Sequence, residues 1–138
     1  MRTLAEIIEA RDPLIMAATA SVREACEAMR DRRAGAVLVA DHRRHLLGIF
    51  TGRDAVHRVL AAGKSASGTV LSQVMTAKPT TLAPTCKAID ALRLMRDGGF
   101  RHVPVVAGDR LLGIVSRADF AGIEIDRLDE ETGLWERL

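Results

Sequence analysis

Leu47-Gly48-Ile49-Phe50-Thr51-Gly52-Arg53-Asp54 and Leu112-Gly113-Ile114-Val115-Ser116-Arg117-Ala118-Asp119 are one pattern written twice. Each reads as an apolar strand closed by a hydroxyl residue, with a carboxylate three positions on and a helical pattern beyond. The likeness extends outward. Pro13 answers Pro79 at an offset of 66, and Val22, Ala25, Cys26 and Met29 answer Ala88, Ala91, Leu92 and Met95 at that same offset. Asp54 answers Asp119 at an offset of 65, so one residue drops out in the turn after the second strand. Helix positions in register, with a slip confined to a turn, are what duplication of a folded unit leaves.

With 138 residues, 48% of them hydrophobic, the chain can bury one sizeable core. Two independent cores of about 65 residues each would be marginal, so the copies are expected to share one. The net charge is +2, from 20 basic and 18 acidic residues that are well mixed, and there are three Phe, one Trp and no Tyr. This offers neither a basic face nor a stacking platform, which argues against a nucleic-acid protein. No apolar run approaches the roughly 18 residues that span a bilayer. The N-terminus lacks the apolar core of a signal peptide, and two cysteines make no disulfide framework. A soluble cytoplasmic protein, with no membrane partner, is the expectation.

Leu4, Ile7 and Ile8 suggest a short helix over 4–10 that stops before Pro13. Leu14-Ile15-Met16 reads as a brief strand, and Ser21-Val22-Arg23-Glu24 has the form of a capping box that opens a helix to about Arg33. Ala36 to Ala40 is a continuous apolar run, as in a strand covered on both faces. A polar turn leads to a strand over 46–50 and a helix over 54–62, which Gly63 ends. After the small polar stretch 63–69 the order returns: helix 70–76, strand 80–82, helix 86–98, strand 102–106, strand 111–115 and helix 117–125. The division is therefore 1–62, linker 63–69, 70–125, and a tail 126–138 that holds the only Trp. The fold class is mixed α/β (α+β), two β-α-β-β-α repeats. Each has a bare sheet face, and packing sheet to sheet would bury both.

Thr51-x-x-Asp54 and Ser116-x-x-Asp119 are the sharpest chemical signals. Their plainest reading is an N-cap with a first-turn acid. Three features weigh against that reading alone. A capping box prefers Glu or Gln, since Asp reaches back less easily. Gly48 and Gly113 stand three residues before the hydroxyl, where a strand gains from glycine only if something approaches closely. The whole string is duplicated. A helix N-terminus with a hydroxyl suits phosphate, and a carboxylate one turn on suits a ribose diol. With an apolar slot between modules for a flat base, these parts describe a nucleotide site.

Val74-Met75-Thr76 with Pro79, Ala83-Pro84, Leu94-Met95, Gly98-Gly99-Phe100-Arg101-His102-Val103-Pro104-Val105-Val106 and both Gly-x-x-[Thr/Ser]-x-x-Asp strings together resemble a tandem pair of cystathionine β-synthase (CBS) domains, the Bateman module. The resemblance covers residues 1 to about 125 and is better in the second copy. It implies two repeats packed sheet to sheet with pseudo-twofold symmetry, a disc whose two clefts hold adenine nucleotides, AMP, ADP or ATP. Asp54 and Asp119 would accept ribose hydroxyls, and Thr51 and Ser116 would face phosphate or sugar. Backbone near Ile15, Ala36, Thr81, His102 and Pro104 would frame the base. Gly48, Gly113 and Ile114 belong to the same strings, and Arg53 and Arg117 lie beside the phosphate position.

Gly35-Ala36-Val37-Leu38 stands where the second copy has Arg101-His102-Val103-Pro104, so the first pocket lacks a side-chain donor there and equal occupancy does not follow, but with Asp54 and Asp119 both present two sites are expected. No zinc-ligand spacing and no nucleophile-base set is present, so an enzyme is the weakest reading. The expected function is a regulatory, energy-sensing module that passes nucleotide occupancy to a partner protein and forms a homodimer through the CBS helices. The alternative is a ligand-free structural dimerisation module. Whether Mg²⁺ accompanies the nucleotide, and which partner listens, the sequence leaves open.

Overall fold

Ser21 starts the longest helix of the first repeat as its spacing predicts: its hydroxyl accepts the Glu24 N–H at 3.0 Å and donates to the Glu24 carboxylate at 3.1 Å. The structure, a computed structural model, describes residues 2–120 and 122. Its elements are α1 (Leu4–Ile8), β1 (Ile15–Met16), α2 (Val22–Arg32), β2 (Ala36–Ala40), β3 (Leu46–Thr51) and α3 (Gly52–Asp54), which runs on through Ala55–Leu60. Then come α4 (Leu71–Val74), β4 (Thr76–Ala77), α5 (Ala88–Gly98), β5 (His102–Ala107), β6 (Arg110–Ser116) and a 3₁₀ turn, Arg117–Asp119.

The chain divides into two compact units, and they are not the sequence repeats. One draws its described residues from Met1–Arg11, Thr81–Ala107 and Leu112–Leu138; the other is Asp12–Thr80 with Gly108–Leu111. In the first of these units Leu4 and Ile7 of α1 join Ala88, Ala91, Leu92 and Met95 of α5, with Val103, Val105 and Val115. In the second, Leu71 and Val74 of α4 join Val22 and Ala25 of α2, Val37, Val39, Phe50 and Val59. The leading helix of each repeat thus completes the core built by the other repeat. Backbone bonds repeat the exchange: Leu4 N–H donates to Cys86 O at 2.9 Å as Leu71 N–H does to Ala20 O at 2.9 Å, and Ala88 N–H to Arg2 O at 2.9 Å as Val22 N–H does to Thr69 O at 2.9 Å.

Four strands form one sheet in the order β1-β2-β3-β4, parallel between β1 and β2 and antiparallel beyond. The helix expected over 70–76 stops at Val74, because Thr76 and Ala77 pair with Ile49 and Gly48 as the fourth strand. The strand expected over 80–82 shrinks to one parallel bridge, Leu82 to Val105. Proline explains the difference. Leu38 N–H donates to Leu14 O at 2.9 Å, whereas the corresponding residue of β5 is Pro104, which has no N–H to offer. The helix expected over 54–62 is wound as a π-helix from Ala55, with Ala61 N–H reaching back five residues to Val56 O at 2.9 Å. Of the expected 117–125 helix the described residues give a 3₁₀ turn, Arg117–Asp119, that ends at Phe120 in an extended conformation (φ −95°, ψ 137°); residues 121, 123–125 and the 126–138 tail lie outside the described residues. No helix among the described residues is long and apolar enough to cross a membrane.

Candidate functional site

Each strand-to-helix corner is set by one backbone bond. Gly52 N–H donates to Gly35 O at 3.3 Å, and Arg117 N–H to Arg101 O at 3.0 Å. That bond brings the hydroxyl residue beside the start of the preceding strand. In the first repeat the register puts Thr51 opposite Ala36, with Ile15 opposite Leu38 at the sheet's edge. In the second, Ser116 ends β6 as His102 opens β5.

Asp54 is buried, 8% exposed, and its carboxylate is fully engaged. Oδ2 accepts the Thr51 N–H at 3.0 Å and the Thr51 hydroxyl at 3.2 Å. Oδ1 accepts the Thr76 hydroxyl at 3.3 Å and lies 3.4 Å from Arg58 Nε. Asp54 N–H donates to Thr51 Oγ1 at 3.3 Å, so a capping box is closed. The shorter reach of Asp, which weighed against this reading, is no obstacle: with Thr51 in an extended conformation (φ −117°, ψ 169°), the carboxylate meets the amide directly. A carboxylate offers about four acceptor positions, and Asp54 has a partner for each.

Asp119 is held more loosely. Its Oδ2 accepts the Ser116 N–H at 2.6 Å, and its Oδ1 faces Arg11 Nη1 at 2.9 Å. Arg2 Nη2 donates to the Asp119 carbonyl at 3.1 Å. Among the described residues no hydroxyl is placed on this carboxylate, and its side chain is 15% exposed. His102 lies in the field of Asp119. Burial pushes its imidazole below the usual range, Asp119 pulls it back up, and Arg101 pushes it down, leaving a neutral ring that can donate at one nitrogen and accept at the other.

Close approach to the two glycines occurs as predicted, but protein makes it. A Cβ on Gly48 would stand 2.6 Å from Met75 Sδ and 2.8 Å from Thr76 O, and one on Gly113 3.3 Å from Ile8. Both positions therefore serve packing of the leading segments. Pro104 is buried, Ile114 and Arg117 are half-buried, and Arg53 and Thr81 are exposed. Sequence reasoning missed Arg11, Thr76 and Arg58 as partners of the two acids. Arg58 was legible as the i,i+4 neighbour of Asp54; Thr76 was hidden by its assignment to a helix, and Arg11 lies too far along the chain to signal anything. No group of three or more His, Cys, Asp or Glu side chains among the described residues could hold a metal ion.

The sequence profile of the CBS domain matches residues 4–61 and again 71–125. The CBS domain-containing protein CBSCBSPB1 of Arabidopsis thaliana is 35% identical over 105 residues, 76% of this chain and 19% of that protein, so the chain spans about a fifth of this relative's length. Among solved structures, the CBS-domain containing protein ATU1752 from Agrobacterium tumefaciens is 31% identical with a TM-score of 0.78, covering 86% of this chain and 95% of that one. The CBS domain protein PAE2072 from Pyrobaculum aerophilum, complexed with AMP, shares the fold at 23% identity, with a TM-score of 0.82 over 94% of this chain and 99% of that one. Two profile matches in tandem, each holding one strand, hydroxyl and acid string, place the chain in the CBS-domain family.

Proposed function

We propose that this chain is a regulatory CBS-pair module that binds an adenine nucleotide, AMP, ADP or ATP, and passes its occupancy to a partner protein. The observation that carries the reading is the state of Asp119: a carboxylate with one oxygen fixed by the Ser116 amide and the other held by a displaceable arginine. Such an oxygen can accept a sugar hydroxyl without stripping a buried partner. Neutral His102 and the backbone at Pro104 and Thr81 serve the base, and Ser116 and Arg117 serve sugar and phosphate. A fold neighbour carries AMP, which supports the ligand class. Asp54, with Thr51, Arg53, Ile15 and Ala36, is the weaker second site, because its Oδ1 also holds the Thr76 hydroxyl, which a ligand there must displace. Homodimer assembly in the cytoplasm belongs to the same reading; Val56 and Leu60, 53% and 73% exposed on one helix, support it.

One observation favours the rival reading of a ligand-free structural dimerisation module: both acids are tied to N-cap amides of their own turns. Thermal-shift measurement with AMP, ADP and ATP, each with and without Mg²⁺, separates the two. A nucleotide binder gains about 2.7 kcal/mol at a ligand concentration a hundredfold above Kd. A flat response to all six conditions leaves the structural reading standing.

A further inference from the structure

We infer that Arg11 sets the charge specificity of the Asp119 site, as an internal counter-ion that an anionic ligand takes over. The inference rests on Asp119 being the ligand acid proposed above. With Oδ2 committed to the Ser116 N–H at 2.6 Å, Oδ1 is the oxygen left for a ligand, and Arg11 Nη1 sits 2.9 Å from it. The first repeat handles its acid differently. There the leading segment of the second repeat offers a hydroxyl, Thr76, to Asp54 Oδ1 at 3.3 Å, and the guanidinium beside that oxygen, Arg58 Nε at 3.4 Å, comes from Asp54's own helix. At the offset of 66 the residue answering Thr76 is Ala10, which has no donor. Ala10 adopts φ 60°, a left-handed conformation unfavourable for alanine, and the residue after it supplies a guanidinium to the acid.

A hydroxyl and a guanidinium differ in what they demand of an incoming molecule. Arg11 is 44% exposed at its side chain, so it can leave Asp119 without opening the core. A neutral nucleoside offers hydroxyls to Asp119 and nothing to Arg11, so it breaks the ion pair without replacing it. A phosphorylated ligand gives the planar guanidinium a two-point acceptor, a pair of phosphate oxygens, in exchange. Arg2, already bonded to the Asp119 carbonyl at 3.1 Å, adds positive charge at the same residue. The site therefore selects for a sugar that carries a phosphate.

Calorimetry on the full chain with AMP and with adenosine, for wild type, Arg11→Gln and Arg11→Lys, tests this. Wild type is expected to prefer AMP. Arg11→Gln is expected to lose about tenfold in AMP affinity while adenosine binds as well as before or better, and Arg11→Lys to keep most of the preference. Circular dichroism confirms that each variant is folded, as the exposure of Arg11 leads one to expect. If wild type binds AMP and Arg11→Gln changes both ligands alike, or neither, the role of Arg11 is overturned and the nucleotide reading stands. Absence of AMP binding in wild type overturns both.

Discussion

Removing the Asp54 carboxylate leaves the Thr51 amide, the Thr51 and Thr76 hydroxyls and Arg58 without their common acceptor. Orphaned groups of this kind cost about 1–3 kcal/mol in a buried site. Asp54→Ala should therefore lower the denaturation midpoint markedly, whatever it does to binding. Asp119 has fewer partners, and its variant should show chiefly in ligand affinity. His102 gives the residue scale a pH signature. Its imidazole is pushed below the ordinary 6.5, chiefly by burial, so the unfolded chain takes up its proton first as the pH falls. Stability on this account is full above about pH 6.5 and declines below it. Urea denaturation at neutral and mildly acidic pH should show that decline in wild type and a smaller one in His102→Gln; equal declines would remove His102 as its source. The two acids and the two hydroxyls were legible from duplication alone. Their partners were not, because Thr76 and Arg11 meet them through chain exchange that no local pattern records.

Paired positions of the two repeats also make elements comparable. Gly48→Ala would push a Cβ within 2.8 Å of the Thr76 carbonyl, a backbone atom, and so strain the β3–β4 pairing, whereas Gly113→Ala meets only the Ile8 side chain at 3.3 Å. A loss of about 1–3 kcal/mol is expected for the first and a smaller one for the second, read as the difference in denaturation midpoints. The helix ends tell a similar story. Arg33 and Gly99 answer each other, and both close their helices in the left-handed conformation, at φ 52° and φ 70°. Gly99→Ala should cost about 1 kcal/mol. The periodicity of α2 and α5 made both helices readable, and their apolar stripes match the cores found. Strand 80–82 was misread because Pro104 acts across the sheet, on a neighbour distant in sequence. The π-winding of Ala55–Leu60 has no sequence signal that we can name.

At the scale of the whole molecule, the exchange of leading helices predicts where damage travels. Leu4 is fully buried among α5 and β5 side chains, and Leu71 among those of α2, β2 and β3. Truncating a buried leucine costs about 2–5 kcal/mol. Leu4→Ala should therefore weaken hydrogen-exchange protection in α5 and β5, in the second repeat, while Leu71→Ala should do so in α2 and β2, in the first; protection lost only within the mutated residue's own repeat would refute the exchange. Two repeats were plain from the sequence; that each is finished by the other's first helix was not, since equivalent segments carry equivalent patterns. On the function proposed above, Asp119 accepts the sugar hydroxyls of an adenine nucleotide. Titration calorimetry with AMP on wild type and Asp119→Ala decides the matter: saturable binding is expected in wild type, weakened about ten- to hundredfold by the substitution, and equal affinity in the two proteins, or heat from neither, would rule that role out.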